Sequence, residues 1–197
     1  MRVGTGIATS AGVTANPLTG ATLDIGVRRA LDLLVLDHIK VQAWDRVLFV
    51  QCGDGWIVEE AWRRAVRAYV CGLDTSAADV ELAKQLREVP GKLEFQRWDG
   101  QDLPVPDRDF DRVVATFAPG LGQDPTVLCR ELRRVLRAEG DAYLLYPVAA
   151  DARVQLALAQ GGWREVREIA RSDDQSAALV HARGTLATGA DLDQKIV

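Results

Sequence analysis

Gln51-Cys52-Gly53-Asp54-Gly55 follows an apolar run and places two glycines two positions apart. Glycine lacks a Cβ, so the backbone there can approach a ligand closely and take positive φ. The segment leads into a helical pattern, and a helix N-terminus favours an anion or a carboxylate. A Gly-x-Gly of this kind also serves as a plain tight turn. Asp74 stands 21 residues after Gly53, at the end of a second apolar run. A carboxylate there can accept hydrogen bonds from both hydroxyls of a ribose; otherwise it only begins a turn with Thr75 and Ser76. Asp99 ends a third run, between Trp98 and Gly100. It can accept from an exocyclic amine such as that of adenine, with Trp98 as a flat apolar neighbour, or it forms a simple Asp-Gly turn. Together these residues point to an adenosine-type ligand.

Other chemistries find less support. A nicotinamide fingerprint needs a third glycine where Val58 stands. His38 and His181 are the only histidines and have no ligand-like cluster around them, so no metal site is expected. No Gly-x-Ser-x-Gly elbow occurs. Cys52 reads as a packed loop thiol, and His38 as a residue near a helix end.

These residues need elements to position them. Residues 1–22, rich in Gly, Ala and Thr, read as an irregular N-terminal arm. A helix is expected over Leu23–Ile39, with Val27, Ala30, Leu31, Leu34 and His38 on its packed face. Arg46–Val50 is an apolar run suited to a strand buried on both faces. A helix over about 58–67, a strand over 68–73 and a helix from the Ser76 cap to about Arg87 follow, with Asp79 at the capping-box position. Strands are expected at 92–98 and 109–117. Asp124-Pro125 starts a helix running to about Arg137 and stopping at Gly140. A strand at 141–146, a helix at 151–160 and two antiparallel strands at 163–170 and 176–182 complete the domain, which spans 23–183. Residues 184–197 read as a loose C-terminal tail. Alternating strands and helices imply a parallel sheet with helices on both faces, whose ligands bind at the carboxyl ends of the strands where the strand order reverses.

The bulk properties set wider bounds. The chain has 197 residues, 48% hydrophobic and 26% charged, with a formal net charge of −4. One domain with a substantial core fits that length. The acidic balance argues against nucleic acid as a partner, and Arg63, Arg64 and Arg67 read as the wet side of a helix. Three cysteines, none in a CxxC pair, fit a reducing cytoplasm. No apolar run approaches the ~18 residues that span a membrane, and no continuous apolar stretch follows Arg2, so neither a membrane segment nor a signal peptide is expected.

In order and spacing, several segments resemble the class I S-adenosylmethionine-dependent methyltransferases, especially small single-domain enzymes related to quinone-biosynthesis methyltransferases. Asp45-Arg-Val-Leu-Phe-Val-Gln-Cys-Gly-Asp-Gly55 is similar to the first motif and Val70-Cys-Gly-Leu-Asp-Thr-Ser76 to the second. Trp98-Asp-Gly-Gln-Asp-Leu-Pro-Val-Pro106 with Phe110-Asp-Arg-Val-Val114 is similar to the third and fourth. Leu132-Arg-Arg-Val-Leu-Arg-Ala-Glu-Gly140 with Tyr143-Leu-Leu-Tyr146 matches the following region. The resemblance covers about residues 27–183. It implies a Rossmann-like, doubly wound α/β sheet of seven strands, mostly parallel with an antiparallel last strand. It implies S-adenosylmethionine against Gln51, Gly53, Gly55, Asp74, Thr75, Asp99, Gly100 and Phe117, with Asp74 on the ribose and Asp99 near the adenine. Gln101 and Asp102 would line the adenine pocket, and Phe117-Ala118 would sit near the sulfonium.

Two positions depart from the family pattern. Its acid near the end of the first strand is Phe49 here, and its first glycine is Gln51. Loss of one hydrogen bond to a charged group, about 1.5–3 kcal/mol, weakens binding roughly ten- to a few hundred-fold. Thr116-Phe-Ala-Pro-Gly-Leu-Gly122 carries no strong acid or base, and no catalytic residue is assigned. Methyl transfer can proceed by positioning alone, because the sulfonium is already activated. The expected function is therefore methyl transfer to a small-molecule acceptor. The alternative is a methyltransferase-like protein that has lost the cofactor and acts as a partner subunit or scaffold. Two covers for the site are open: the N-terminal arm with the first helix, or a homodimer.

Overall fold

In the computed structural model, which describes residues 14–15, 22–23, 25–116 and 124–184, strands β1 (Thr14–Ala15) and β2 (Thr22–Leu23) form a two-residue antiparallel ladder. The sequence reads this region as an irregular arm; the ladder is its only described part.

Helix α1 spans Ile25–His38. Its packed face is shifted from the expected one: Leu31 and Leu34 pack on the core as expected, but Val27 and Ala30 do not. Val27 is 45% exposed, whereas Asp32, Val35 and Leu36 are buried, with Ile39 just beyond the helix. The apolar spacing that begins at Val27 is interrupted by a buried carboxylate, and Arg28 and Arg29 both bond to it.

β3 (Arg46–Val50) is buried along all but its first residue. It runs parallel to β4 (Tyr69–Asp74) on one side and to β6 (Phe110–Thr116) on the other. Helix α2 (Trp56–Arg64) starts at once after Gly55, two residues earlier than expected. Helix α3 (Ala77–Arg87) follows β4, and Ser76 Oγ accepts from the Asp79 amide at 3.2 Å, as the capping pattern predicts. β5 (Leu93–Arg97) is the outer strand on this side and buries only Leu93 and Phe95. Between β5 and β6 the loop is pinned to α4 (Pro125–Val135): the Leu103 amide donates to Glu131, and Arg134 donates to the Leu103 and Val105 carbonyls.

α4 ends at Val135, short of the expected Arg137, and β7 (Leu136–Pro147) begins at once. The amides of Arg108 and Asp109 take the carbonyls of Arg134 and Val135, and Leu136 pairs with Phe110. The sheet thus claims the residues that would have continued the helix. Gly140 is a strand residue and no helix stop: a Cβ there would lie 2.7 Å from Leu136 Cδ1. After a short turn at Val148–Ala150, α5 (Asp151–Gln160) leads to the hairpin of β8 (Trp163–Arg171) and β9 (Ala177–Gly184).

The seven strands lie in the order β5-β4-β3-β6-β7-β9-β8. β9 is antiparallel to both neighbours and is the one reversed strand, as the resemblance implies. One apolar core holds α1, α2 and α3 against one face of the sheet, and a second holds α4 and α5 against the other. Strand order reverses between β3 and β6, so the carboxyl ends of these strands are the place where such a fold receives ligands. No helix among the described residues is long and apolar enough to cross a membrane.

Candidate functional site

Among the described residues, the buried polar ones are Asp32, Gln51, Asp74, Thr116 and Glu131. Buried polar side chains are the informative exceptions in a core. Glu131 holds the loop before β6 in place. Gln51, Asp74 and Thr116 lie around the reversal point, and Asp32 is linked to them through Arg28.

Gln51 has left-handed backbone, with φ of 63°, and Gly53 and Gly55 follow with 58° and 76°. That alternation turns the chain from β3 into α2. The amides of Gln51 and Cys52 both donate to the Leu73 carbonyl at 2.7 and 3.1 Å, and the Gly55 amide donates to Cys52. Gly55 is required by packing: a Cβ there would lie 2.6 Å from Phe95 and 2.8 Å from Ala83. At Gly53 the nearest atoms to a built Cβ belong to the Arg28 guanidinium, at 3.4 Å. The Arg28 guanidinium therefore lies over Gly53 at ordinary contact distance.

Asp74 ends β4 and is 8% exposed. Its Oδ2 accepts from the Gly53 amide at 2.7 Å and its Oδ1 from the Ser76 amide at 2.9 Å. Burial pushes this carboxyl above its usual range, opposed by those two amides and by the Arg28 charge. Each carboxylate oxygen keeps a further lone pair for a ligand hydroxyl. Asp74 thus begins the turn and faces the glycine loop at once; the two roles considered from sequence are compatible.

α1 and α3 strap the loop from outside. Arg28 Nη2 donates to the Gln51 carbonyl at 3.2 Å and its Nε to Asp32 at 3.1 Å. Arg29 bridges Asp32 and Asp54, reaching Asp54 Oδ2 at 2.5 Å, and lies over the Trp56 ring. Arg87 donates to the Asp54 carbonyl and pairs with Glu59. Burial favours a protonated Asp54, but Arg29 and Arg87 outweigh it and hold the carboxyl below its usual range. From β6, Thr116 Oγ1 donates to the Gln51 carbonyl at 2.7 Å.

Asp99 stands beyond β5 and is exposed, with Oδ1 accepting from the Gln101 amide at 2.9 Å. Gly100 is buried with φ of 91°. Gln101 and Asp102 are exposed, and Thr75 is half-buried with its carbonyl on Arg97. Trp98 is no open face: it is 3% exposed and belongs to the core. The Trp98 amide donates to the Asp74 carbonyl, so the strand ends that carry Asp74 and Asp99 are neighbours. Phe117 and Ala118 lie outside the described residues. Phe49 is buried in the core beneath α1 and α2. Cys52 is a buried thiol raised well above its usual range by burial and the Asp74 charge. Arg63 and Arg64 pair with Glu59 and Glu60 on the exposed side of α2.

Sequence reasoning misses Arg28, Asp32 and Thr116. The signal was present in part: Arg28 and Asp32 are four apart on one helix, the spacing of an ion pair. Nothing in that spacing says the pair is buried against a loop whose bonded carbonyl is 23 residues away.

Residues 48–144 match the methyltransferase domain family. Over that stretch, just under half of its length, the chain is similar to class I S-adenosylmethionine-dependent methyltransferases. Among its relatives is the fatty-acid O-methyltransferase of Mycolicibacterium smegmatis, 37% identical over 55% of the chain and 37% of that enzyme. The demethylmenaquinone methyltransferase of Thermotoga maritima is 32% identical over 51% of the chain and 43% of its own length. The chain thus spans less than half the length of these two relatives. A methyltransferase structure from Aquifex aeolicus superposes with a TM-score of 0.66 at 19% identity, covering 79% of the chain and 92% of its own. That likeness is one of fold.

Proposed function

We propose that this chain binds S-adenosylmethionine at the β3–α2 loop and transfers its methyl group to a small-molecule acceptor. The observation that carries the proposal is the buried Asp74 carboxylate, locked onto the Gly53 amide at 2.7 Å beside the strand-order reversal. The residues present fit the cofactor's chemistry. Asp74 offers acceptors to a ribose. Gln51 Oε1 is a buried acceptor with no partner, and Arg28 presents a cation above Gly53. S-adenosylmethionine supplies a methyl group already activated on a sulfonium. The protein's task is then to hold it in line with the acceptor and keep water out. Thr75, Asp99 and Gly100, on the neighbouring strand ends, belong in this reading to the adenosine side, and Phe117 to the side of the transferable methyl.

The test is a melting curve with S-adenosylmethionine or its demethylated product. At about 100 times the dissociation constant, ligand stabilises the fold by about 2.7 kcal/mol. No shift at millimolar ligand would defeat the proposal and leave the partner-subunit reading. If ligand binds, Asp74→Ala removes most of the shift; retention would displace Asp74 from the ribose. Fatty acids and demethylmenaquinone, for which the relatives above are named, are the first acceptors to assay with radiolabelled methyl donor.

A further inference from the structure

Gln51 and Arg28 are unusual in how their hydrogen-bonding capacity is distributed. The Gln51 side chain occupies a position the family pattern gives to glycine, with φ of 63° and 6% exposure. Its Oε1 has no hydrogen-bond partner. Buried polar atoms are nearly always paired, so an orphan of this kind calls for an explanation. The Gln51 backbone carbonyl is in the opposite state. It accepts from Arg28 at 3.2 Å and from Thr116 at 2.7 Å, which uses both of its lone pairs. An incoming N–H donor at residue 51 meets the amide oxygen and no open carbonyl. Arg28 has the converse surplus. Its Nε is committed to Asp32 and its Nη2 to Gln51, while Nη1 makes no hydrogen bond among the described residues and lies over Gly53, 3.6 Å from a built Cβ. Asp32 fixes this guanidinium from behind, with none of its side chain exposed.

An unpaired buried acceptor and an unpaired guanidinium edge, tied to each other through one carbonyl, complement an α-amino acid, whose ammonium and carboxylate are one carbon apart. Charge-assisted bonds of both kinds are the strong ones. We infer that Arg28 and Gln51 read the amino-acid end of the cofactor, Arg28 Nη1 donating to the carboxylate and Gln51 Oε1 accepting from the ammonium. The inference rests on the cofactor reading above and assigns Gln51 a binding role in place of a steric one. A glutamine that merely filled the space of the missing glycine would exclude the same ligand group.

Calorimetric titration of the full chain separates these cases. The ligands are S-adenosylhomocysteine, methylthioadenosine, which lacks the amino-acid end, and the pair of S-adenosylmethionine and its decarboxylated form. Wild type should bind S-adenosylhomocysteine ten- to a hundred-fold more tightly than methylthioadenosine. Arg28→Met should weaken S-adenosylhomocysteine at least ten-fold and should leave the decarboxylated ligand no weaker than in wild type. Gln51→Gly, which suits the left-handed backbone, should also weaken S-adenosylhomocysteine at least ten-fold. Unchanged binding of methylthioadenosine by both variants is the folding control. Tighter or unchanged binding of S-adenosylhomocysteine by Gln51→Gly overturns the inference and makes Gln51 a plug. Equal affinity of wild type for S-adenosylhomocysteine and methylthioadenosine overturns it while leaving the nucleoside pocket intact. If no ligand binds at all, the cofactor reading falls with it.

Discussion

At the scale of single residues, Asp74 has two tasks with opposite pH dependence. Burial raises its carboxyl above the usual 3.8, with Gly53, Ser76 and Arg28 opposing. A raised folded-state value means that its contribution to stability is complete below 3.8 and is lost as pH rises through the folded value. Ligand hydroxyls need the ionised form. Nucleoside affinity should therefore fall on acidification, with a midpoint above 3.8, while the free protein gains from the same protonation. Calorimetry from acid to neutral pH checks the sign; Asp74→Asn should flatten the profile. Asp54 behaves in the other direction. Arg29 and Arg87 hold it low, so its contribution is present above the usual carboxylate value and is lost as pH falls through the lowered one. Asp54→Ala removes two charge-assisted bonds from Arg29 and a 3.7 Å ion pair with Arg87, and should cost about 2 kcal/mol in denaturant unfolding.

Secondary-structure elements account for why the loop keeps its shape. Gly55→Ala would drive a methyl into Phe95 and Ala83 at a φ of 76°. Overpacking and left-handed strain together should cost about 3 kcal/mol by chemical denaturation. Ser76→Ala removes the cap on α3 and should cost about 1 kcal/mol. The legible parts of the fold are those in which local chemistry and the sheet agree. The apolar run Arg46–Val50, the Ser76 cap and the Asp124-Pro125 start of α4 are read correctly because each acts over a few residues. The errors fall where a distant partner overrides local pattern. Leu136 leaves the helix because Phe110 pairs with it, and α1 turns Asp32 inward because Arg28 and Arg29 surround it. At the site, Gly53 and Asp74 stand 21 positions apart in sequence and meet directly, whereas Trp98 is taken into the core by a packing environment its neighbours do not announce.

For the whole molecule, the two cores on opposite faces of one sheet should unfold together. Tyr146 and Phe110 are among the largest fully buried side chains and lie in the same core. Phe110→Ala should cost about 3–5 kcal/mol and lower the midpoints seen by near- and far-ultraviolet dichroism equally. Separate transitions would mean that the faces are independent. The position of β9 carries a different consequence. β7 pairs on that side with β9, and β8 is joined to the sheet through β9 alone. β8 is therefore an outboard strand whose attachment depends on residues that follow it. The turn between them is tied by Asp174, whose carboxylate accepts from Ser172 and Ser176. A hairpin so closed can assemble before it docks and can detach as one piece. In native-state hydrogen exchange, the β8–β9 amides should open as a unit, and the freed edge of β7 should become a new template for pairing with another molecule.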